Sequence, residues 1–268
     1  MQYHIISDLH LEFHQDVTSV KTLLEKFPHL TCTKSAPAET ILLLAGDIGS
    51  WFYPNLKLFL TDCSNQYKHV LYILGNHEYY SEKNHTMTTI EELAKTQIDE
   101  INGINEKHNL YFLNKTSVHI DGVKYLGATL WTDIAVEQVD MIEDSINDYK
   151  LIKKTADTIV TAYDTSAIHK THVEWLTEEL KDTKTPTVII THHLPTSKLS
   201  HPKYAIYRHL ASSFFTNLED MIQPNLILWV CGHTHSYMKT QIADTTLITS
   251  PFGYEHECGS ARIEYFSF

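Results

Sequence analysis

The chain has 268 residues, 43% of them apolar, and a formal net charge of -12 from 33 acidic against 21 basic residues. That length suits one large α/β domain spanning 1–268 with a substantial core. The acidic balance, with Arg208 and Arg262 the only arginines, speaks against a nucleic-acid track and against a site built from several bidentate phosphate clamps.

The first apolar run, Tyr3 to Ser7, reads as a strand ending in Asp8-Leu9-His10. Val17, Val20, Leu23, Leu24 and Phe27 then recur at helical spacing until Pro28. Thr31 to Thr40 is small, polar and Pro-containing, hence a loop. It leads into Ile41-Leu42-Leu43-Leu44-Ala45-Gly46-Asp47, a buried strand delivering one charge at its carboxyl end. Asn55 is positioned to cap a second helix with Leu56, Phe59, Leu60, Cys63 and Tyr67 inward. Val70 to Leu74 is a third strand, running into Gly75-Asn76-His77-Glu78.

Ile90, Leu93, Ala94, Ile98 and Ile101 form a third helical stripe, with Thr88 and Glu91 spaced as a capping box. Short strand-like runs follow, and Asp121-Gly122 predicts a hairpin. Residues 131–154 gather acids at Asp133, Glu137, Asp140, Glu143, Asp144 and Asp148, an excursion that reads as a solvated face or a lid. Ile168 to Leu180 marks a helix before the strand Val188 to Thr191 and its His192-His193. Leu210, Phe214, Leu218 and Met221 predict another helix, stopping at Pro224. Leu226 to Val230 runs into Cys231-Gly232-His233-Thr234-His235, and Tyr237 to Phe268 alternates as strands closing a second sheet.

No stretch approaches the ~20 apolar residues of a membrane span, and no basic segment with an apolar core opens the chain, which predicts a soluble, unprocessed protein. Cys32, Cys63, Cys231 and Cys258 lack C-x-x-C spacing. Reduced thiols in a cytoplasmic setting are the expectation.

In open α/β sheets the loops beyond the strands' carboxyl ends meet at one crevice. Asp8, His10, Asp47, Asn76, His192, His233 and His235 would therefore converge, offering oxygen and imidazole donors in a number that exceeds one tetrahedral ion. Divalent Mn, Fe, Co and Zn all accept that mixture. Two such ions against two carboxylates leave a positive centre, which attracts a phosphate oxyanion and lowers the pKa of bound water. The ions repel one another, so a carboxylate between them is needed, and Asp47 is the best bridge.

Asp8-Leu9-His10, Gly46-Asp47, Gly75-Asn76-His77-Glu78, Thr191-His192-His193 and Gly232-His233-Thr234-His235 resemble, in order, the motifs of the calcineurin-like metallophosphoesterase superfamily. The resemblance implies a four-layer α-β-β-α sandwich of two mixed sheets with two divalent ions. Asp8, His10 and His235 would hold one ion, Asn76, His192 and His233 the other, with Asp47 bridging. His193 would be an outer or substrate-facing group, and His77 would stabilise the phosphoryl oxygens or protonate the leaving group. The Asp and Arg that follow the Gly-Asp motif in the family's protein phosphatases are missing from Gly46-Asp47-Ile48-Gly49-Ser50-Trp51, which argues against a protein serine/threonine phosphatase. Ser250-Pro251-Phe252-Gly253-Tyr254 is similar to a stretch that in small relatives often reads Asn-Pro-Arg-Gly-Tyr, with Phe252 at the Arg position.

The expected activity is hydrolysis of a phosphomonoester or phosphodiester on a small substrate. Rivals are a phosphoesterase-fold binding scaffold without turnover and a metal-dependent nuclease. Lys198, His201, Lys203, Tyr204, Tyr207 and Arg208 form the one locally basic stretch, a candidate for leaving-group contacts. Substrate identity and oligomeric state are not encoded in these patterns.

Overall fold

The strand Ile41–Ala45 is buried at every position because its two faces serve two cores. In the computed structural model, which describes residues 1–28, 30, 37–81, 85–257 and 261–268, β1 (Gln2–Ile6), β2 (Ile41–Ala45), β3 (His69–Ile73) and β4 (Leu110–Phe112) run parallel. Ile41, Leu43 and Ala45 pack with Tyr125, Val188 and Leu228 of the second sheet, whereas Leu42 and Leu44 pack with helices. A period of two splits one apolar run between an inter-sheet core and an outer core.

The second sheet holds β5 (Thr116–Ile120), β6 (Val123–Ala128), β7 (Thr187–Thr191), β8 (Leu226–Cys231), β9 (Met238–Ile242) and β10 (Thr245–Thr249). Its order is β5-β6-β7-β8-β10-β9, parallel from β6 to β10 and antiparallel at both edges. Helices α1 (Val20–Lys26), α2 (Pro54–Gln66) and α3 (Met87–Asn105) cover the first sheet. Residues 131–154 carry the short helices α4 (Val139–Ser145) and α5 (Asp148–Leu151), and α6 (Ala162–Glu179) covers the second sheet through Leu176. The result is an α-β-β-α sandwich of two mixed sheets. No described helix is long and apolar enough to cross a membrane.

Asp121 and Gly122 both take positive φ between β5 and β6, as the hairpin signal requires. Four local expectations are corrected. Tyr53 occupies the N-cap of α2. Asn55, the expected cap, is buried inside the first turn and donates to the carbonyls of Leu11 (2.8 Å) and His14 (3.3 Å). Thr86, not Thr88, caps α3, so the expected capping box does not form. Leu210 to Met221 is no α-helix: Pro202–Ser213 and Glu219–Met221 are 3₁₀ segments. Finally β11 (Glu264–Ser267) pairs antiparallel with β1, closing the first sheet and not the second.

Residues 31–36 of the expected loop lie outside the described residues, as do Cys32 and Cys258; Cys63 and Cys231 are buried free thiols.

Glu78 ties the carboxyl ends of β2 and β3 together. Fully buried, its carboxylate accepts from the amides of Asp47 (2.9 Å), Ile48 (2.8 Å) and Gly75 (2.7 Å) and from the Tyr72 hydroxyl (3.0 Å). Burial and the Asp47 charge push its pKa up; His192 and the amide donors pull against them. Between the sheets, Gly127 of β6 admits no side chain, since a Cβ there would lie 2.3 Å from Leu113 Cβ.

Two outcomes are expected. Glu78→Ala orphans three buried N–H groups at about 1–3 kcal/mol each, so its urea midpoint falls sharply and Glu78→Gln recovers part of the loss. An Ala variant with the parent midpoint would show that the carboxylate does not hold these loops. Gly127→Val forces the sheets apart and lowers unfolding free energy by roughly 1–3 kcal/mol, read by the same titration.

Candidate metal centre

All seven candidate ligands sit on loops that follow the carboxyl ends of β1, β2, β3, β7 and β8, and they meet at one end of the sandwich. Five of them, Asp8, His10, Asp47, His233 and His235, have left-handed backbones with φ of 53°, 47°, 53°, 72° and 41°. Each such non-glycine residue costs about 1–2 kcal/mol. Hydrogen bonds between the loops hold them there: Asp8 N–H to Gly46 O (3.0 Å), His10 N–H to Asp47 O (3.0 Å) and His233 N–H to Asp8 Oδ1 (2.8 Å). Gly75 lets the loops close, because a Cβ on it would lie 2.1 Å from Asp47 Oδ1.

The side chains form two groups joined by one carboxylate. Asp8, His10 and His235 bring ligand atoms within 4.8 Å of one another. On the other side, Asn76 Oδ1 lies 3.0 Å from His192 Nε2 and 3.2 Å from His233 Nδ1. Asp47 Oδ1 accepts the His77 amide (2.8 Å), which leaves Oδ2 facing His192 Nε2 at 3.2 Å and His10 Nε2 at 4.0 Å.

A second ring of groups decides which atoms point inward. Glu12 Oε1 takes His10 Nδ1 (3.1 Å) and Glu257 Oε2 takes His235 Nδ1 (2.6 Å). With the ring protons assigned to those bonds, the two Nε2 atoms, 3.0 Å apart, present lone pairs to each other. The carbonyl of Ala45 fixes His192 in the same way (2.9 Å). Asp148 Oδ1 accepts Asn76 Nδ2 (2.8 Å), so the amide turns its oxygen to the imidazoles. Such bonds are the usual means of orienting metal ligands.

Acceptors therefore converge, and the cluster demands positive charge. Burial opposes protonation of His192, yet the Asp47 carboxylate raises its pKa to about 10; in the protein alone a proton answers the demand. Divalent cations answer it more fully and suit the N/O donors, so the residues fit a metal site.

His77 lies beside the first group, its ring centroid 4.4 Å from that of His10. Glu12 Oε1 also accepts from His77 Nδ1 (3.1 Å). Burial works against the His77 imidazolium, but Asp47 and then Glu12 raise its pKa to about 9. Burial would raise the Glu12 carboxyl, but the bonds from His10 and His77 bring it down to about 2. His193 is buried against Trp131 and His233, with ring centroids at 5.1 and 4.2 Å, and burial lowers its pKa to about 3. It packs beneath the ligands.

The sequence reading missed Glu12, Glu78, Asp148, Tyr254 and Glu257. Glu12 and Glu78 stand within or beside recognised motifs, and that proximity was the available signal. Asp148 is one acid among many in 131–154, and nothing local separates it from the rest. Of the basic stretch, Lys198 pairs with Glu219 (2.7 Å) and Lys203 approaches the His235 carbonyl (3.4 Å).

A family model described as calcineurin-like phosphoesterase matches residues 1–237. Uncharacterized protein L509 of Acanthamoeba polyphaga mimivirus is 31% identical over 263 residues, covering 94% of this chain and 91% of that protein. Among solved structures, the phosphopantetheinyl hydrolase PptH of Mycobacterium tuberculosis superposes with a TM-score of 0.69 at 17% identity, covering 96% of this chain and 90% of its own. TT1561 of Thermus thermophilus gives 0.53 at 11% identity, with 93% and 88% covered. These two likenesses speak for the fold alone. The family match, over nearly the whole chain, shows that the protein belongs to the calcineurin-like phosphoesterases, whose general chemistry is metal-dependent phosphoester hydrolysis.

Proposed function

We propose that the protein is a binuclear metallophosphoesterase. Asp8, His10 and His235 would hold one divalent ion, Asn76, His192 and His233 a second, and Asp47 would be shared by both. The observation that carries this reading is the single Asp47 oxygen turned towards His10 on one side and His192 on the other. When bound, the ions supply Lewis acidity at the phosphoryl oxygens and lower the pKa of water towards about 7.

The chain's own part is positioning and proton transfer. Glu12 holds His77 by Nδ1 and thereby aims Nε2, 3.4 Å from the Tyr254 hydroxyl, into the adjoining pocket. The bond to Glu12 also favours the protonated ring. As the bond from phosphorus to the leaving oxygen breaks and water oxygen takes its place, His77 Nε2 gives its proton to the departing oxygen, and the proton that the water gives up restores the ring through solvent.

Metal analysis on protein purified without chelator, followed by hydrolysis of a chromogenic monoester and diester, tests the reading. Near two ions per chain with turnover is the expected outcome; ions without turnover would favour a binding scaffold. Asp47→Ala is expected to lose both metal and activity. Full turnover with unchanged metal content in that variant would overturn the mechanism. His77→Ala is expected to retain metal and lose turnover by roughly 10²–10⁴-fold, the usual contribution of a positioned acid. An unchanged kcat would remove His77 from the chemistry.

A further inference from the structure

Beside His77 opens a cavity of about 470 Å³, within the roughly 300–1,000 Å³ that suits a small organic ligand. Five of its wall residues are aromatic: Phe13, Phe52, Tyr53, Tyr80 and Tyr254, with Leu151 of α5 completing the apolar wall. Ser50, Ser81 and Asn147 add hydrogen-bonding groups without charge. Among the described residues no Lys or Arg lines the cavity, and its one carboxylate is Glu12.

The wall is braced by the candidate site itself. The Tyr254 ring stacks on His10 (centroids 4.8 Å, 30°) and meets His235 edge-on (4.6 Å), and Phe13 meets Tyr254 edge-on (5.9 Å). Tyr80 lies 4.3 Å from the His77 ring and donates to Asp148 (2.7 Å). Phe13 and Leu151 are 62% and 40% exposed, so apolar area is left uncovered beside the reacting centre.

We infer that this cavity takes the leaving group of the substrate, and that the leaving group is uncharged and carries a planar ring. The inference rests on the phosphoesterase reading above. A second phosphate or a carboxylate on the leaving alcohol would be desolvated next to Glu12, where the one cationic group among the described wall residues, His77, is already paired with that carboxylate. A flat ring instead finds aromatic faces and edges on several sides, with Ser50 and Asn147 in the wall beside its polar edge. A nucleoside and a simple aryl-methyl alcohol share this chemistry.

The test compares esters whose leaving groups are all primary alkoxides: adenosine 5′-monophosphate, benzyl phosphate, ribose 5-phosphate and hexyl phosphate. Each is offered to the metal-loaded full chain as the monoester and as the methyl diester. At least one ring-bearing ester is expected to exceed both ringless ones by roughly 10- to 100-fold in kcat/KM, the range that base stacking on aromatic side chains supplies. Which of the two leads identifies nucleoside or aryl alcohol as the source. Phe13→Ala, at an exposed position that does not endanger the fold, is expected to compress that ratio several-fold.

Ribose 5-phosphate or hexyl phosphate matching the ring-bearing esters would overturn the inference while leaving the hydrolase reading intact. Calorimetric binding of adenosine and benzyl alcohol, against ribose, separates the two failures. A ring that binds while no ester is hydrolysed overturns the hydrolase reading and keeps the cavity assignment. Absence of both binding and discrimination overturns the assignment.

Discussion

Acceptors pointed at one another in a buried space repel, and the candidate centre is built so that they must be. Neither His10 nor His235 can turn its Nε2 away, because Glu12 and Glu257 hold the opposite nitrogens, and Asp47 cannot withdraw Oδ2 while Oδ1 accepts the His77 amide. Bound positive charge is the only partner that satisfies all of them together. The left-handed backbones follow from the same demand. A strand that ended in ordinary extended or helical geometry would carry its carboxylate or imidazole past the crevice, and the loop-to-loop hydrogen bonds offset the strain of turning it in.

The sandwich supplies the rigidity that this arrangement needs. Strands β1, β2 and β3 are buried on both faces, so their carboxyl ends are fixed by two cores at once, and Glu78 then binds the loops after β2 and β3 to each other through backbone amides. The net charge of -12 does not contradict an anionic substrate. Exposed charges beyond about 8 Å are screened at physiological salt, and the field inside the site is set by the few buried carboxylates there and by whatever cations they hold.

How far the sequence could be read depended on how local the cause was. Strand ends such as Leu44-Ala45-Gly46-Asp47 announce themselves, since an apolar run that stops at Gly and a charge has few other structures open to it. The convergence of the seven candidate residues at strand ends was legible for that reason, whereas the α-β-β-α layering was implied by the resemblance of the motifs. Pairing partners are not local. Alternation marked Tyr237 to Phe268 as strands but carried no information on which sheet edge was free, and for its last strand β1 offered the open one. Leu210 to Met221 has helical apolar spacing, yet Leu194 and Pro195 bond to its backbone at Phe214, Thr216 and Leu218, and those contacts override the periodicity. Asp148 could not be found because its function exists only where 131–154 folds back onto Asn76.

Phe252 shows why the motif pattern and the geometry have to be weighed together. In the stretch it resembles, an Arg at that position would bring a cation to the site; here Phe252 is buried, its ring 4.6 Å from that of Phe27 and 6.0 Å from that of His14. The loop nonetheless keeps its grip on β1, with Phe252 N–H bonded to Ser7 O (2.8 Å) and Gly253 N–H to Asp8 O (2.9 Å). What those bonds deliver is the Tyr254 ring against His10 and the Glu257 carboxylate against His235. The loop thus contributes an aromatic wall and an orienting carboxylate where an Arg would have contributed charge. The Arg that this loop lacks and the Tyr254 ring it turns to the cavity act in the same direction, towards a leaving group that is neutral and flat.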